Sequence, residues 1–423
     1  MATYPQNFRF GEFVGSLIWL IFWILIIVAL IGLPLIFVVL FYAPLPPSGN
    51  GQVYTPYLFL TDMVNPTRTL PIIKYMIHTD LFRVAAFPGF SYAAFIAAAT
   101  IFIERKFLAK MQLRVGPLYA GKIEGILQLI ADGLKLIAKE IIVPSGADKP
   151  LFWAAPIAFV AAAAAVVALI PAAPGWVVAN VDVGLLTVFA ILGFFPLIAL
   201  LFSWASNSKY PFIGGLRALH QMIAFEIPFI LSGLSVVILS GTLNLTGIVN
   251  SQIHSYWFIF FAPISAFVFY ISSLAELERI PFDLPEAESE IVAGWLTETS
   301  GMIYGLLQLG SYVKTYALAA LFVILFLGGW AGPAVMPVEL TPGYTGVQIY
   351  NHVTADAILW FTVKTFGMIM LFLLPRGISP RIRIDILLHT GWYKLIVLAF
   401  INIFIALALI YGGILGPGGL LVR

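Results

Sequence analysis

The chain has 423 residues, of which 61% are hydrophobic and only 10% are charged, and its formal net charge is +2. A soluble domain carries about 25% charged residues, so this composition excludes an ordinary soluble enzyme and indicates a polytopic membrane protein. The apolar stretches run for about 20 residues rather than in the ten-residue alternations of a β-barrel, and lipid cannot satisfy open backbone groups, so the membrane part is expected to be helical.

Nine apolar stretches are long enough to cross a membrane as helices. The first, residues 16–42, is too long for the apolar part of a cleavable signal, so it is predicted to remain as a helix. The other eight are residues 84–103, 151–171, 183–203, 216–240, 256–275, 309–330, 355–374 and 395–415. The predicted fold class is therefore an all-α polytopic membrane protein with about nine transmembrane helices.

Lysine and arginine are concentrated in alternate connections between these stretches. They are frequent from Arg105 to Lys149 and recur at Arg217, Arg279 and Arg381. The connections between them carry neither residue: 172–182, 241–255 and 331–354. Cytoplasmic connections carry an excess of these residues, so we expect the N-terminus and the charged connections in the cytoplasm and the C-terminus outside. The segment 43–82 is then an external loop.

Residues 121–140 contain a different kind of helix. Apolar side chains recur there at helical spacing, while Asp132, Lys135 and Lys139 take other faces. The pattern predicts an amphipathic helix lying in the membrane interface, and an ordinary helix on the cytoplasmic surface is the alternative. The apolar positions are Ile123, Ile126, Leu127, Ile130, Leu134 and Ile137.

Three ionisable side chains fall within or near the predicted spans. Glu226 lies inside the fifth, where a carboxylate is costly unless it is paired, hydrated or protonated, and Pro228 weakens the local backbone ladder. We expect a protonatable group facing a polar interior, with a neutral glutamate satisfied by neighbouring helices as the alternative. Lys314 either snorkels to the cytoplasmic edge or is buried. Lys364 lies nearer the middle of its span and is a hypothetical partner of Glu226.

The acidic loop, residues 275–294, reads AELERIPFDLPEAESEIVAG. Glu286 and Glu290 would share a face of a helix there, and crowded carboxylates do not all ionise together, so a coupled set with a raised pKa is expected. A solvated acidic run is the alternative, but apolar residues such as Phe282 and Leu284 favour a packed loop. Its ionisable residues are Glu276, Glu278, Arg279, Asp283, Glu286, Glu288 and Glu290.

Redox and metal motifs are absent from the sequence. It has no cysteine, so no disulfide, cysteine-ligated cluster or haem attachment site belongs to the chain, and any electrons arrive through another subunit. The five histidines lack ligand spacing, and there is no P-loop, dinucleotide-binding glycine motif or nucleophile elbow. We therefore expect no cofactor and no metal in this chain.

Four motifs together resemble one family. They are ERKFLAKMQLRVGP at 104–117, LQLIADGLKLIAKE at 127–140, SWASNSKYPFIGGLRA at 203–218, and the acidic loop. Their order and spacing are similar to those of membrane subunit 1, or the H subunit, of respiratory complex I, the NADH-quinone oxidoreductase family. The resemblance runs from about residue 91 to beyond residue 392, and the family's eight helices match the last eight spans. Residues 83–423 are thus the family-like membrane domain, and residues 1–82 add an extra helix and loop.

The resemblance implies a function that composition alone does not. Such a subunit walls a quinone chamber and couples the electron-transfer arm to the proton-pumping membrane arm of a proton-translocating NADH, or other reduced donor, quinone oxidoreductase. Quinone is the substrate, while iron–sulfur clusters and flavin, or another donor cofactor, belong to partner subunits. The implied partners are hydrophilic quinone-site subunits with the terminal cluster, small membrane subunits, antiporter-like subunits and lipid. The implied location is an energy-transducing membrane, typically the cell membrane of a prokaryote.

The resemblance also assigns roles to residues by motif. A buried proton relay would include Glu104, Glu226, Glu276 and Glu298. Charges on the chamber side would be Arg114, Arg279, Asp283, Glu286, Glu288 and Glu290. Glu278 departs from the family pattern, which usually has asparagine or another neutral polar residue there, and it adds a negative charge near the chamber.

Three other functions compete with this one. The membrane subunit of an energy-converting hydrogenase shares pieces of these motifs without a quinone, but the fuller matches at 203–218 and 281–294 favour the quinone enzyme. A secondary ion transporter would also bury glutamate and lysine, but the sequence shows no inverted repeat or matching pair of broken helices. A purely structural membrane anchor would leave Glu226 and the acidic loop without a role.

Overall fold

The computed structural model describes residues 80–120, 125, 127–253, 256–332 and 354–412. Within these ranges the chain is helical, and its only β-type pairing is an isolated bridge between Ala173 and Trp176. The predicted first span and nearly all of the loop after it lie outside the described residues. The chain divides into two compact units, with the boundary between Leu134 and Lys135.

The first unit contains one long apolar helix. Helix α1 covers Asp80–Ala85, and α2 covers Phe90–Met111. Helix α3, Gln128–Ala138, begins in this unit and crosses the boundary. Leu134 and Ile137 remain exposed on α3, and no residue of that helix is buried. A helix with an exposed apolar stripe agrees with the predicted amphipathic helix, although it is shorter than the range 121–140, and its position in the membrane interface stays a prediction.

The second unit is built from long helices joined by short ones. Most of its helices are longer than two turns; the exceptions are α10 (Glu288–Ile291), α13 (Ile384–His389), a 3-10 segment at Gly294–Leu296 and a π-helical segment at Thr390–Leu395. The others are α4 (Lys149–Leu169), α5 (Gly184–Leu192), α6 (Phe195–Ala205), α7 (Lys209–Ser240), α8 (Leu245–Ile253), α9 (Pro263–Glu276), α11 (Gly301–Phe326), α12 (Thr354–Ile378) and α14 (Ile396–Tyr411).

Seven helical segments in the described ranges are long and apolar enough to cross a membrane. They are Phe82–Met111, Lys149–Leu169, Gly184–Ala205, Lys209–Ser240, Gly301–Phe326, Asp356–Ile378 and Ile384–Tyr411. A shorter apolar helix, Pro263–Glu276, takes the place of the stretch predicted at 256–275. The eight segments match the eight predicted spans after the first. A polytopic helical membrane protein is thus confirmed, and the count of nine stays a prediction.

Helix α9 is shorter than predicted because the chain before it turns tightly. The backbone N–H of Ala262 donates to the carbonyl of Phe258 at 2.8 Å, and Pro263 opens the helix after that turn. Its 14 residues rise about 21 Å, which is less than the roughly 30 Å of a bilayer's hydrocarbon core. The chain leaves helical structure at Glu276, the second residue of the acidic loop.

The core of the second unit is aromatic and centres on α7, α9 and α11. The ring centroids of Phe229 and Phe269 lie 4.5 Å apart, and those of Phe269 and Phe326 lie 5.6 Å apart. Every residue of α11 from Val313 to Phe326 is buried. A side chain in this part of α11 has protein around it on all sides, so it cannot reach water by extending along the helix.

Arginine-bearing segments of the second unit meet at the same end. Arg217, in the third turn of α7, pairs with Glu290, and Arg381, in the connection after α12, pairs with Asp283. At the opposite end the backbone N–H of Leu185 donates to the carbonyl of Leu243. This grouping is what the alternation of lysine and arginine predicts within one bundle. Which end faces the cytoplasm stays a prediction.

Candidate functional site

The acidic loop is packed against the bundle. Phe282, Leu284 and Ala287 are all buried. The amide of Gln221 on α7 donates from Nε2 to the carbonyls of Ala275 and Phe282, both at 2.8 Å. The predicted packed loop is therefore confirmed, and the solvated alternative is wrong. The apolar residues between its charges supply the buried surface that holds it in place.

Two glycines allow this close packing. A Cβ at Gly214 on α7 would lie 2.4 Å from the backbone nitrogen of Trp295, so the 3-10 segment contacts the helix backbone directly. Gly294 has φ +57°, and a Cβ there would lie 1.6 Å from the carbonyl oxygen of Pro285. The positive φ and the close approach both require glycine. Gly214 of the 203–218 motif and Gly294, the last glycine of the acidic loop, thus serve one contact.

Ionic contacts tie the loop to α7 and to the connection after α12. Asp283 accepts a hydrogen bond from Arg381 at 2.9 Å, and Glu290 accepts one from Arg217 at 2.5 Å. The guanidinium of Arg279 lies 4.6 Å from the ring centroid of Tyr312 on α11. Each contact joins the loop to a different element, so a change of charge in the loop acts on α7, on α11 and on the connection after α12.

The end of α9 carries a buried ion pair. The ammonium of Lys314 donates to Glu276 Oε1 at 2.8 Å and to the backbone carbonyl of Glu276 at 2.8 Å. Both side chains are enclosed, with relative exposures of 3% for Lys314 and 8% for Glu276. The ring centroid of Phe195 lies 4.2 Å from the same ammonium. The snorkelling alternative for Lys314 is therefore wrong, because its part of α11 is buried on all sides.

Glu278 lies in the acidic loop, two residues after the ion-paired Glu276. Its Oε2 accepts a hydrogen bond from Trp295 Nε1 at 3.1 Å, and its Oε1 is buried without a hydrogen-bond partner in the described part of the chain. Burial, and after it the charge of Glu286, raise the pKa of Glu278 to about 8. The coupled carboxyl with a raised pKa is thus Glu278, which in the sequence is only a departure from the family pattern.

Glu226 contributes a third carboxyl to the same region. It lies on α7, and a Cβ at Gly193, between α5 and α6, would fall 2.6 Å from its Oε1. The break between these two helices therefore leaves room for the carboxylate. Glu226 interacts electrostatically with both Lys314 and Glu276. Three carboxyls, Glu226, Glu276 and Glu278, thus interact electrostatically with one ammonium.

The hypothetical pair of Lys364 and Glu226 is wrong. Lys364 donates to the carbonyls of Leu327 and Ala331 at 2.7 and 2.5 Å, and to a third carbonyl at Gly329. The same ammonium lies 4.3 Å from the ring centroid of Trp257. It neutralises backbone carbonyls after the end of α11, where the helix dipole favours a cation.

The NADH dehydrogenase family matches residues 85–407. The chain belongs to this family. The NADH-quinone oxidoreductase H subunit of Bacillus cytotoxicus is 43% identical over 305 residues, covering 72% of this chain and 86% of that protein. The corresponding Geobacillus sp. protein is 43% identical over 316 residues, covering 75% and 90%. The corresponding Bacillus thuringiensis protein is 42% identical over 305 residues, covering 72% and 86%. The resemblance drawn from the four motifs is confirmed, and these names do not favour the hydrogenase alternative.

The remaining residues that the family motifs assign fall in different places. Glu298 is half-buried in the turn before α11, and within the described ranges it joins none of the contacts around Lys314. The side chain of Glu288 lies outside the described residues. Glu288 begins α10, so the preceding Glu286 is not helical, and the expected shared face of Glu286 and Glu290 is not formed.

Two assigned residues lie in the first unit of this family member. Glu104 is buried on α2, with 2% of its surface exposed. Arg114 donates from Nε to Gln112 Oε1 at 2.7 Å and lines a cavity of about 550 Å³. The cavity is also lined by Arg105, Leu108, Val115, Gly116, Pro117, Leu118 and Tyr119. Two arginines therefore face a cavity of this unit whose other walls are mostly apolar.

Several partners of the site are not apparent from the sequence. Arg217 and Arg381 are only topology signals there, and nothing in the pattern distinguishes Gln221 or Trp295. Each is far from its partner along the chain, so only the packing of α7 and of the connection after α12 reveals it. The sequence does single out Lys314, because it is a charged residue within a long apolar helix. No group of three or more His, Asp or Glu in the described ranges is placed to hold a metal ion.

Proposed function

We propose that this chain is the quinone-chamber and proton-coupling subunit of a complex I-type, proton-pumping NADH-quinone oxidoreductase. Membership of the NADH dehydrogenase family and the names of its relatives support this role. The single observation that carries it is the acidic loop, which is packed, tied by arginines to α7 and to the connection after α12, and continuous with the buried Glu276–Lys314 pair.

The loop supplies the charges that would face the quinone. Reduction of a quinone to a quinol takes up two electrons and two protons, and iron–sulfur clusters of a partner subunit would supply the electrons. Arg279 and Asp283 are held by contacts to α11 and to the connection after α12, so the loop can respond to a charged intermediate without losing its shape. The proposed chamber-side set is Arg114, Arg279, Asp283, Glu286, Glu288 and Glu290.

The buried carboxyls supply the proton coupling. With a pKa of about 8, Glu278 carries its proton in most molecules at neutral pH and releases it when the surrounding charge becomes more positive. Glu226 and Glu276 interact with the same ammonium, so a proton leaving one carboxyl changes the charge that the others experience. We propose that Glu104, Glu226, Glu276 and Glu298 form the relay towards the pumping subunits.

The proposed setting follows from these roles. The partners are hydrophilic quinone-site subunits with the terminal iron–sulfur cluster, small membrane subunits, antiporter-like subunits and lipid. Flavin, or another donor cofactor, belongs to the electron-transfer arm. The arginine-bearing end of the bundle would face the cytoplasm of a prokaryotic cell, with the C-terminus outside. Residues 1–82 would add one helix and an external loop for an accessory partner or lipid.

Replacement of Glu226 tests the relay. Glu226→Gln keeps the shape of the side chain but cannot carry a proton, so we expect quinone-linked proton translocation to fall at least about tenfold. The measurement is acidification of vesicles that contain the purified assembly, with short-chain quinone as electron acceptor. Glu140→Gln is the matched control, because Glu140 is exposed and outside the proposed relay. Wild-type translocation in the Glu226→Gln assembly would remove Glu226 from the relay.

A further inference from the structure

Lys314 has a role that neither the family motifs nor the sequence pattern assigns. It is the one cation that all three carboxyls, the buried Glu276 and the partly buried Glu226 and Glu278, interact with in the described part of the chain. We infer that Lys314 is a positioning residue for proton transfer, whose ammonium keeps the Glu276 carboxylate ionised and fixed so that Glu226 and Glu278 are the members that exchange protons. This inference rests on the proposed function.

Three contacts hold the Lys314 ammonium in place. Its ammonium is bound at 2.8 Å by the carboxylate of Glu276 and at 2.8 Å by the backbone carbonyl of the same residue, which is the last residue of α9. Carbonyls at a helix C-terminus carry partial negative charge and favour a cation. The ring of Phe195 adds a cation–π contact at 4.2 Å. These contacts compensate for the loss of water around the ammonium.

The same geometry separates Glu276 from the other two carboxyls. Of the three, only Glu276 is hydrogen-bonded to the ammonium; Glu226 and Glu278 interact with its charge without a hydrogen bond. Glu278 instead accepts a hydrogen bond from Trp295. One ammonium can balance one carboxylate in a buried site, so the carboxyl in direct contact is the one that stays ionised. The other two are left to take up and release protons.

Other charged groups around α11 do not replace Lys314. Helices α4 and α8, which pack against α11, have no ionisable side chain beyond Lys149 at the first residue of α4. Helix α12 brings Asp356 and Lys364 near the opposite end of α11, where Lys364 binds carbonyls, and it carries Arg376 in its last turn. On α11 itself, Tyr312 contacts Arg279. Lys314 therefore dominates the positive charge at the three carboxyls.

The test is the pH profile of quinone-linked proton translocation by the purified assembly in vesicles. Lys314→Met removes the cation, so the carboxyls should hold their protons to higher pH and the profile should move up by about one pH unit. Glu276→Gln removes the anion and leaves the ammonium, so its profile should move to lower pH. Lys314→Arg should keep the wild-type profile.

A double variant separates charge from packing. Lys314→Met combined with Glu276→Gln leaves Glu226 and Glu278 with neither charge, so we expect its profile to return towards that of the wild type. If Lys314→Met does not assemble, the opposite shift of Glu276→Gln and the return in the double variant still decide the question. A structural tether between α9 and α11 would lower the amount of assembled complex and leave every profile unchanged.

The outcomes distinguish this inference from the proposed function. Wild-type vesicles that translocate protons, with variant profiles that all coincide with the wild type, would overturn the role of Lys314 alone. Wild-type vesicles without quinone-linked translocation would overturn the proposed function, and this inference with it.

Discussion

Glu278→Gln is the single substitution that tests the candidate site most directly. A glutamine at this position can still accept the hydrogen bond from Trp295 but has no proton to release. Burial and the charge of Glu286 raise the pKa of Glu278 from its ordinary value of 4.5 to about 8. At pH 7, about nine molecules in ten should therefore carry the proton on Glu278. The buried Oε1, without a hydrogen-bond partner in the described residues, explains why the neutral form is favoured.

The same pKa fixes how stability depends on pH. The pKa of Glu278 is higher in the folded chain than in the unfolded one, so its contribution to stability is fully present below about pH 4.5 and is lost as the pH rises to about 8. Each pKa unit is worth about 1.36 kcal/mol, so ionising Glu278 in place costs at most about 5 kcal/mol. The Glu278→Gln protein escapes this cost and should be the more stable of the two above pH 8.

Two assays on the purified assembly check this prediction. Infrared difference spectra between pH 6 and pH 10 should contain a protonated-carboxyl band with a midpoint near pH 8, and Glu278→Gln should lack it. Heat inactivation at pH 9 should be slower in Glu278→Gln than in the wild type, while Glu140→Gln, at an exposed site, should behave as the wild type does. A wild-type band that persists in Glu278→Gln, or that titrates near pH 4.5, would refute the reasoning.

Two further predictions concern how the acidic loop is held. Asp283→Asn and Arg381→Gln should each weaken short-chain quinone reduction by about threefold, and the double variant should lose no more than either single variant, because one half-exposed ion pair is broken in all three; additive losses would contradict the pairing. Gly214→Ala should lower the amount of assembled protein, because the new Cβ would lie 2.4 Å from the backbone nitrogen of Trp295 and overpacking costs about 1–3 kcal/mol. Gly133→Ala, whose Cβ meets nothing within 4 Å, is the helical control, and equal yields of the two variants would argue against the close contact.

Hydropathy predicts most of the fold because length and apolar composition alone decide which segments can cross a bilayer. The eight stretches from residue 84 onward each correspond to a helix in the described chain. One error in their boundaries has a visible cause: at 256–275 a local turn delays the helix to Pro263. Hydropathy cannot detect such a turn, because residues 256–262 are even more apolar than the helix that follows.

The sequence could not determine which acceptor each buried or loop cation binds. Lys314 and Lys364 are both lysines within apolar helices, yet one binds a carboxylate and the other binds backbone carbonyls. Which acceptor each ammonium meets depends on how α9, α11 and α12 are placed beside one another. The same applies to Arg217 and Arg381, whose partners in the acidic loop are 73 and 98 residues away.

The sequence pattern of the acidic loop predicts one of its properties correctly and another wrongly. Crowded carboxylates predict a coupled group with a raised pKa, and Glu278 has one. The pattern favours Glu286 and Glu290 on one helical face, but the helix begins only at Glu288. Charge density along the chain predicts that coupling occurs, while burial decides which carboxyl it affects.

The most direct measurement uses the intact assembly. We would tag this chain, purify the complex in mild detergent from its own membranes, and assay reduction of short-chain quinones beside hydrogen evolution. Quinone reduction that acidifies reconstituted vesicles, and that chamber-binding inhibitors block, is the result that the account predicts. Hydrogen evolution without quinone reduction would contradict it, and the chamber roles proposed for Arg279, Asp283 and Glu288 would then be wrong.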